Sequence, residues 1–93
     1  MTKQKILYKI RVTGRVQGVG FRWSAVREAG RRSITGLVKN CPDGSVYLEA
    51  EGESEQLDEF VEWCRKGPGP GYVKSVVFDV HPPSGYREFR VDF

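Results

Sequence analysis

Residues 14–22 read GRVQGVGFR, with three glycines, one glutamine and two arginines in nine positions. Glycine reaches positive φ at little cost and lets the backbone approach a ligand closely. Successive N–H groups in such a loop can turn inward as a nest. The stretch stands just ahead of residues that read as a helix, where four N–H donors lack partners and the dipole is positive. That combination suits a tetrahedral anion. Arg22, in the first turn, adds a planar fork of donors that matches phosphate oxygens bidentately. The candidate loop is therefore Val16, Gln17, Gly18, Val19, Gly20 and Phe21, closed by Arg22. A plain glycine-rich turn with a surface arginine fits the same residues.

The flanking segments must position this stretch. Ile6, Tyr8, Ile10 and Val12 alternate with Leu7, Lys9, Arg11 and Thr13, the pattern of a half-buried strand. Residues 22–32 lack proline and are rich in Ala, Arg and Glu, and Trp23, Val26 and Ala29 fall at helical spacing, so a helix is predicted with those three as its stripe. A second strand is predicted over 34–41. PDGS at 42–45 is a hairpin turn, and Val46, Leu48 and Ala50 alternate as a third strand. Leu57, Phe60, Val61 and Cys64 fall at i, i+3, i+4 and i+7, one apolar stripe of a second helix. Ser54 is its expected N-cap, Glu55 and Asp58 suit its positive end, and Arg65 and Lys66 its negative end. Gly67 and Pro68 stop it. A fourth strand follows over 73–80, a turn at 81–85, and a short last strand through Phe89, Val91 and Phe93.

The order is β-α-β-β-α-β with a terminal extra strand. This is an α+β, ferredoxin-like sandwich: a mainly antiparallel sheet with two helices on one face. The right-handed crossover makes the first two strands parallel, so their C-terminal ends share one edge of the sheet. The glycine stretch leaves the first strand there, and Asn40 leaves the second. Convergence of Arg22 and Asn40 favours the anion site over the plain turn.

Composition narrows the function classes. Ninety-three residues suffice for a single domain over 1–93, and 39% hydrophobic content with 12% aromatics fits a folded chain. A net charge of +3 suits an anionic ligand, but 15 cations against 12 acids is not a polybasic protein. No apolar run is long enough for a membrane span or a signal peptide, so a cytoplasmic location is expected and no membrane partner. Cys41 and Cys64 are expected as free thiols. His81 is the one histidine and lies at a proline turn, which argues against a histidine-dependent nucleophile. Neither cysteine has arginine six positions later, no Asp-x-Asp exists, and GVGFRW lacks the third glycine of a dinucleotide fingerprint. No metal-ligand spacing is present, so no metal and no cofactor are expected. Glu49 and Glu51 share one strand face and read as a solvated face.

GRVQGVGFR (14–22), GLVKN (36–40) and PDGSV (42–46) closely resemble the acylphosphatase family, and AEG (50–52) and GP (67–68) extend the resemblance over nearly the whole chain. The resemblance implies metal-independent hydrolysis of an acyl phosphate, a small-molecule substrate, to a carboxylate and inorganic phosphate. It implies that the loop amides and Arg22 hold the phosphoryl group and that Asn40 orients the attacking water, which makes Arg22 and Asn40 the catalytic pair. It implies the same βαββαβ fold. The chain departs from the family pattern at Arg32-Ser33, where Leu-Gly is usual, at Leu37, where an aromatic is common, and at Cys41, where an aliphatic residue is frequent. The first two bear on the end of the first helix and not on the chemistry. Cys41 sets a thiol beside Asn40, though a small strand-end residue is the plainer reading.

This chemistry asks little beyond a cradle. Phosphoryl transfer is governed by positioning and electrostatics, and a carboxylate leaving group needs no general acid. Inorganic phosphate, the product, is expected to compete with substrate, and a monomer is expected. An RRM-like RNA-binding module shares the strand order, and Phe21 and Trp23 would alternate as stacking residues in an extended segment. That motif belongs on the third strand of an RRM, where this chain has Tyr47, Glu49 and Glu51, and those carboxylates repel a phosphate backbone. No nucleic-acid partner is expected. A non-enzymatic phosphate-binding regulatory domain is the remaining alternative.

Overall fold

The computed structural model describes residues 4–93, so Met1, Thr2 and Lys3 of the expected 1–93 domain lie outside the description. The elements run β1 (Ile6–Arg15), α1 (Phe21–Arg31), β2 (Thr35–Asn40), β3 (Val46–Gly52), α2 (Ser54–Lys66), β4 (Tyr72–His81) and β5 (Phe89–Val91). They form one five-stranded sheet in the order β4-β1-β3-β2-β5. β3 is antiparallel to both β1 and β2, so those two run parallel and end at one edge, as the topology requires. β5 is parallel to β2 and covers its outer side. This is the ferredoxin-like arrangement with an extra terminal strand.

The core lies between the helices and the face of the sheet that carries Tyr8, Ile10, Val12, Val38, Val46, Leu48 and Ala50. α2 delivers its expected stripe: Leu57, Phe60, Val61 and Cys64 are all buried. Burying each large apolar side chain contributes about 1.5–3 kcal/mol, so this stripe holds α2 to the sheet. Burial also pushes the Cys64 thiol well above its usual range and leaves it unreactive. Tyr8 joins the layers. Its ring stacks on Phe78 at 4.5 Å, and its hydroxyl donates to Asp58 of α2 at 2.6 Å. Asp58 thus serves a sheet-to-helix bond rather than the helix dipole.

α1 departs from the expected stripe. The helix buries Phe21, Ala25 and Ala29, while Trp23 is 62% exposed and Val26 only partly buried. Two alanines let α1 lie close to the sheet, and that face excludes Trp23. Ser54 is not the N-cap of α2. Glu53 precedes the helix in extended conformation, accepts the first helical bond from Leu57 N–H, and offers no side-chain cap. Ser33, at the end of α1, has φ 54°, a left-handed conformation that favours glycine. The backbone there keeps a glycine-like turn although the side chain is serine.

Gly14 also reads differently in the fold. It belongs to β1, at a register shift between Thr13 and Gly14, with φ 128°. A Cβ there would strike the Tyr72 carbonyl of β4. Its missing side chain serves a close strand–strand approach rather than a ligand.

Glu49 and Glu51 are not a solvated face. Glu51 is buried and accepts N–H bonds from Ser84 and Gly85 at 2.6 and 3.0 Å. Glu49 accepts the hydroxyls of Tyr47 and Tyr86, at 2.6 and 2.5 Å. The segment 82–88 is strapped across this end of the sheet by the two carboxylates before β5 docks on β2.

Candidate active site

The loop between β1 and α1 is fastened at three points. Val16 at one end and Phe21 at the other are buried, and the Phe21 ring packs on Trp63 at 5.3 Å. Between them, Gln17 Nε2 donates to the carbonyls of Cys41 and Ser45, at 2.8 and 2.9 Å. Those two residues close the β2–β3 hairpin, where Cys41 N–H donates to Ser45 O and Asp43 accepts both the N–H and the hydroxyl of Ser45. Gln17 therefore locks the loop to the turn that follows Asn40. Its side chain positions the loop. Val19 packs against the core margin near Gly71.

Gly20 is the N-cap of α1. Its φ of 82° and ψ of 15° turn the chain into the helix, and no side chain caps the end. The first helical bond runs from Ser24 N–H to Gly20 O at 3.0 Å, so the preceding amides have no partner within the helix. The first turn of α1 carries no acidic residue. These donors and the positive end of the dipole are uncommitted.

Val16, Gly18, Gly20, Phe21, Arg22, Trp23 and Asn40 line one small cavity of about 120 Å³. Arg22 makes no ion pair with a described carboxylate, and its guanidinium lies 5.3 Å from the ring centroid of Phe93. Asn40 sits at the last position of β2, opposite Val46. Among the described residues its Oδ1 is buried without a hydrogen-bond partner, as are Arg32 Nε and Thr35 Oγ1. A buried polar atom without a partner costs about 1–3 kcal/mol. The structure thus brings Arg22, Asn40, Val16, Gly18, Gly20 and Phe21 together, and turns the side chains of Gln17 and Val19 to other work.

Sequence reasoning missed Trp23 at this cavity, having counted it in the core stripe. Its place immediately after Arg22, off the face set by Phe21, Ala25 and Ala29, is the signal. Cys41 stands at the hairpin, with Sγ 3.7 Å from an Arg11 donor. Arg11 also donates to Ser45 Oγ at 2.8 Å. Larger hollows lie elsewhere. One of about 310 Å³ is lined by Lys5, Arg31, Arg32, Ser33, Glu53 and Gln56, between the C-terminal end of α1 and the start of α2. Among the described residues no group of three His, Cys, Asp or Glu is placed to hold a metal ion. No helix there is long and apolar enough to cross a membrane.

Comparison with known proteins gives a consistent result. The family model described as acylphosphatase matches residues 8–91. A Trichormus variabilis protein named acylphosphatase is 44% identical over 88 residues, covering 95% of this chain and 87% of its own length. The solved structure of an acylphosphatase from Coxiella burnetii superposes with a TM-score of 0.93 at 35% identity, over 99% of this chain and 100% of the other. The crystal structure of acylphosphatase from Bacillus subtilis gives a TM-score of 0.92 at 37% identity, over 95% and 99%. With a matching family model over most of its length and the loop, arginine and asparagine meeting at one cavity, the chain belongs to the acylphosphatase family.

Proposed function

We propose that this chain hydrolyses acyl phosphates to a carboxylate and inorganic phosphate, with Arg22 and Asn40 as its catalytic residues. The observation that carries the proposal is the meeting of Arg22, Asn40 and the uncapped start of α1 at one small cavity. The loop amides and the Arg22 fork hold the phosphoryl oxygens. Asn40 orients a water in line with the scissile bond. Water oxygen attacks phosphorus, the P–O bond to the acyl group breaks, and its electron pair leaves as the carboxylate. A proton from the water passes to solvent or to the released phosphate. The leaving group is a weak base, so the step calls for no general acid, and charge on the equatorial oxygens is met by fixed donors.

The reading needs neither metal nor cofactor, because the donors that neutralise the phosphoryl group all come from the chain. It takes a small molecule as partner and no nucleic acid, since Glu49 and Glu51 bind the strap across the face that an RNA-binding sheet would present. It places the protein in the cytoplasm as a monomer of one domain over 1–93. A phosphate-release assay with benzoyl phosphate, run beside a stable phosphate monoester and with and without EDTA, tests it. Release from the acyl phosphate alone, indifferent to EDTA and competitively inhibited by inorganic phosphate, is the expected result. Activity lost to EDTA and restored by Mg²⁺ or Zn²⁺ overturns the mechanism, and no release at all overturns the reaction.

A further inference from the structure

We propose that Trp23 is a platform for the acyl half of the substrate, selecting acyl phosphates with a flat aromatic or extended apolar acyl group. The inference rests on acyl phosphate hydrolysis being the reaction. It starts from size. A cavity of about 120 Å³ is small beside the ~300–1,000 Å³ pockets that enclose a whole small-molecule ligand. It takes the phosphoryl group, and the acyl group must lie across the lip.

Trp23 stands at that lip. It lines the cavity, directly follows Arg22, and is 62% exposed. A single exposed apolar side chain ordinarily needs no explanation. This one is an indole, set beside the group that anchors the phosphate, on a helix whose core face is already filled by Phe21, Ala25 and Ala29. The core does not use it. Phe93, itself 93% exposed, lies over the Arg22 guanidinium, so the approach to the arginine carries a second ring.

The remaining lining of the cavity favours an apolar acyl half. Apart from Arg22 and Asn40, the lining is glycine, valine, phenylalanine and tryptophan. With Arg22 engaged by the phosphoryl group, the cavity lining holds no second cation for another anionic group. An aromatic acyl group gains stacking on the indole, and an acetyl group is too small to reach it.

The test compares benzoyl phosphate with acetyl phosphate. The ratio of their kcat/KM values is measured for wild type, Trp23→Ala and Trp23→Phe. A ratio taken within each variant cancels misfolding and any general damage to the phosphoryl cradle. The ratio should fall about 5- to 10-fold in Trp23→Ala, the scale of one ring–ring contact, and Trp23→Phe should keep at least half of the wild-type ratio. A Trp23→Ala ratio within twofold of wild type overturns the platform. If wild type hydrolyses neither compound, the reaction itself is wrong, and the platform is then judged by fluorescence titration with benzylphosphonate and methylphosphonate. Benzylphosphonate must bind wild type at least 5-fold more tightly, with that advantage lost in Trp23→Ala. Equal binding of the two overturns it.

Discussion

Asn40 and Arg22 at one end of the sheet and Glu49 and Glu51 toward the other are committed in opposite ways. Where β1 and β2 finish, Asn40 Oδ1 is buried without a partner among the described residues, Arg22 is free of ion pairs with described carboxylates, and the amides opening α1 have no side-chain cap. Where β3 finishes, Glu51 takes two backbone amides, and along the same face Glu49 takes two phenol hydroxyls. In the sequence the first region reads as clustered chemistry and the second as a solvated face. Pairing separates them. A fold tolerates a buried polar group cheaply only when it is satisfied, so the two satisfied carboxylates are architecture.

The largest effect is expected at the unsatisfied end. Asn40→Ala should lower kcat about 10²–10³-fold, the scale for removing one preorganised polar group, with little change in the inhibition constant of phosphate. A near-normal kcat makes Asn40 a strand-end residue and dissolves the contrast. Next comes Arg22→Lys, which keeps the charge and loses the fork. Losing a bidentate charged contact of about 1.5–3 kcal/mol should lower kcat/KM roughly 10- to 150-fold. Arg22→Ala should melt at or slightly above the wild-type temperature, because a cation at the positive end of a helix is unfavourable. Retention of more than half the wild-type kcat/KM by Arg22→Lys rules out bidentate recognition.

At the satisfied end the readout changes from rate to stability. Glu51→Ala strands two amides and should cost about 1–3 kcal/mol, with roughly 4–8 °C of Tm per kcal/mol in a domain of this size. Its kcat/KM should stay within about twofold. Loss of activity at an unchanged Tm would mean the two ends have exchanged roles. The smallest effect is the pH dependence of Glu49. Burial pushes its carboxyl up, but the hydroxyls of Tyr47 and Tyr86 and the charges of Lys9 and Lys39 outweigh burial, so its pKa lies below the usual value. A depressed folded-state pKa stabilises the fold above the unfolded value and loses that contribution as the pH falls through the folded one. Stability should therefore decline as the pH is lowered from about 5 through the ordinary glutamate range and below. Glu49→Gln should flatten that decline, and an unaltered pH profile in that variant would remove Glu49 from the strap.

The same contrast explains which features could be read from residues alone. α2 was readable because Leu57, Phe60, Val61 and Cys64 repeat at helical spacing and all four are large enough to count. The stripe of α1 was not, because its face rests on Ala25 and Ala29, and the larger Trp23 draws the eye away from them. The loop, Arg22 and Asn40 were readable from local composition and one rule of crossover handedness. The satisfaction of Glu49 and Glu51 depends on Ser84, Gly85 and Tyr86, more than 30 positions along the chain. Alternation in β3 reports only that the two glutamates leave the core face. Gly14 announces an unusual backbone angle, but the reason for it stands on β4.

The lean of Gly14 on Tyr72 has a consequence in time. Every residue assigned to the phosphoryl cradle lies within the first 40 positions, so a growing chain holds them all before α2 is made. The strand that leads into the loop is nevertheless seated from outside: β1 lies between β3 and β4, Thr13 meets Ser75 across 62 positions, and Val19 rests beside Gly71. Contacts so far apart in sequence close late, after local helices and hairpins have formed. A chain stopped after β3 owns the full set of catalytic side chains and no cradle. In refolding, hydrolysis should return with the docking of β4 rather than with the first rise in helix signal.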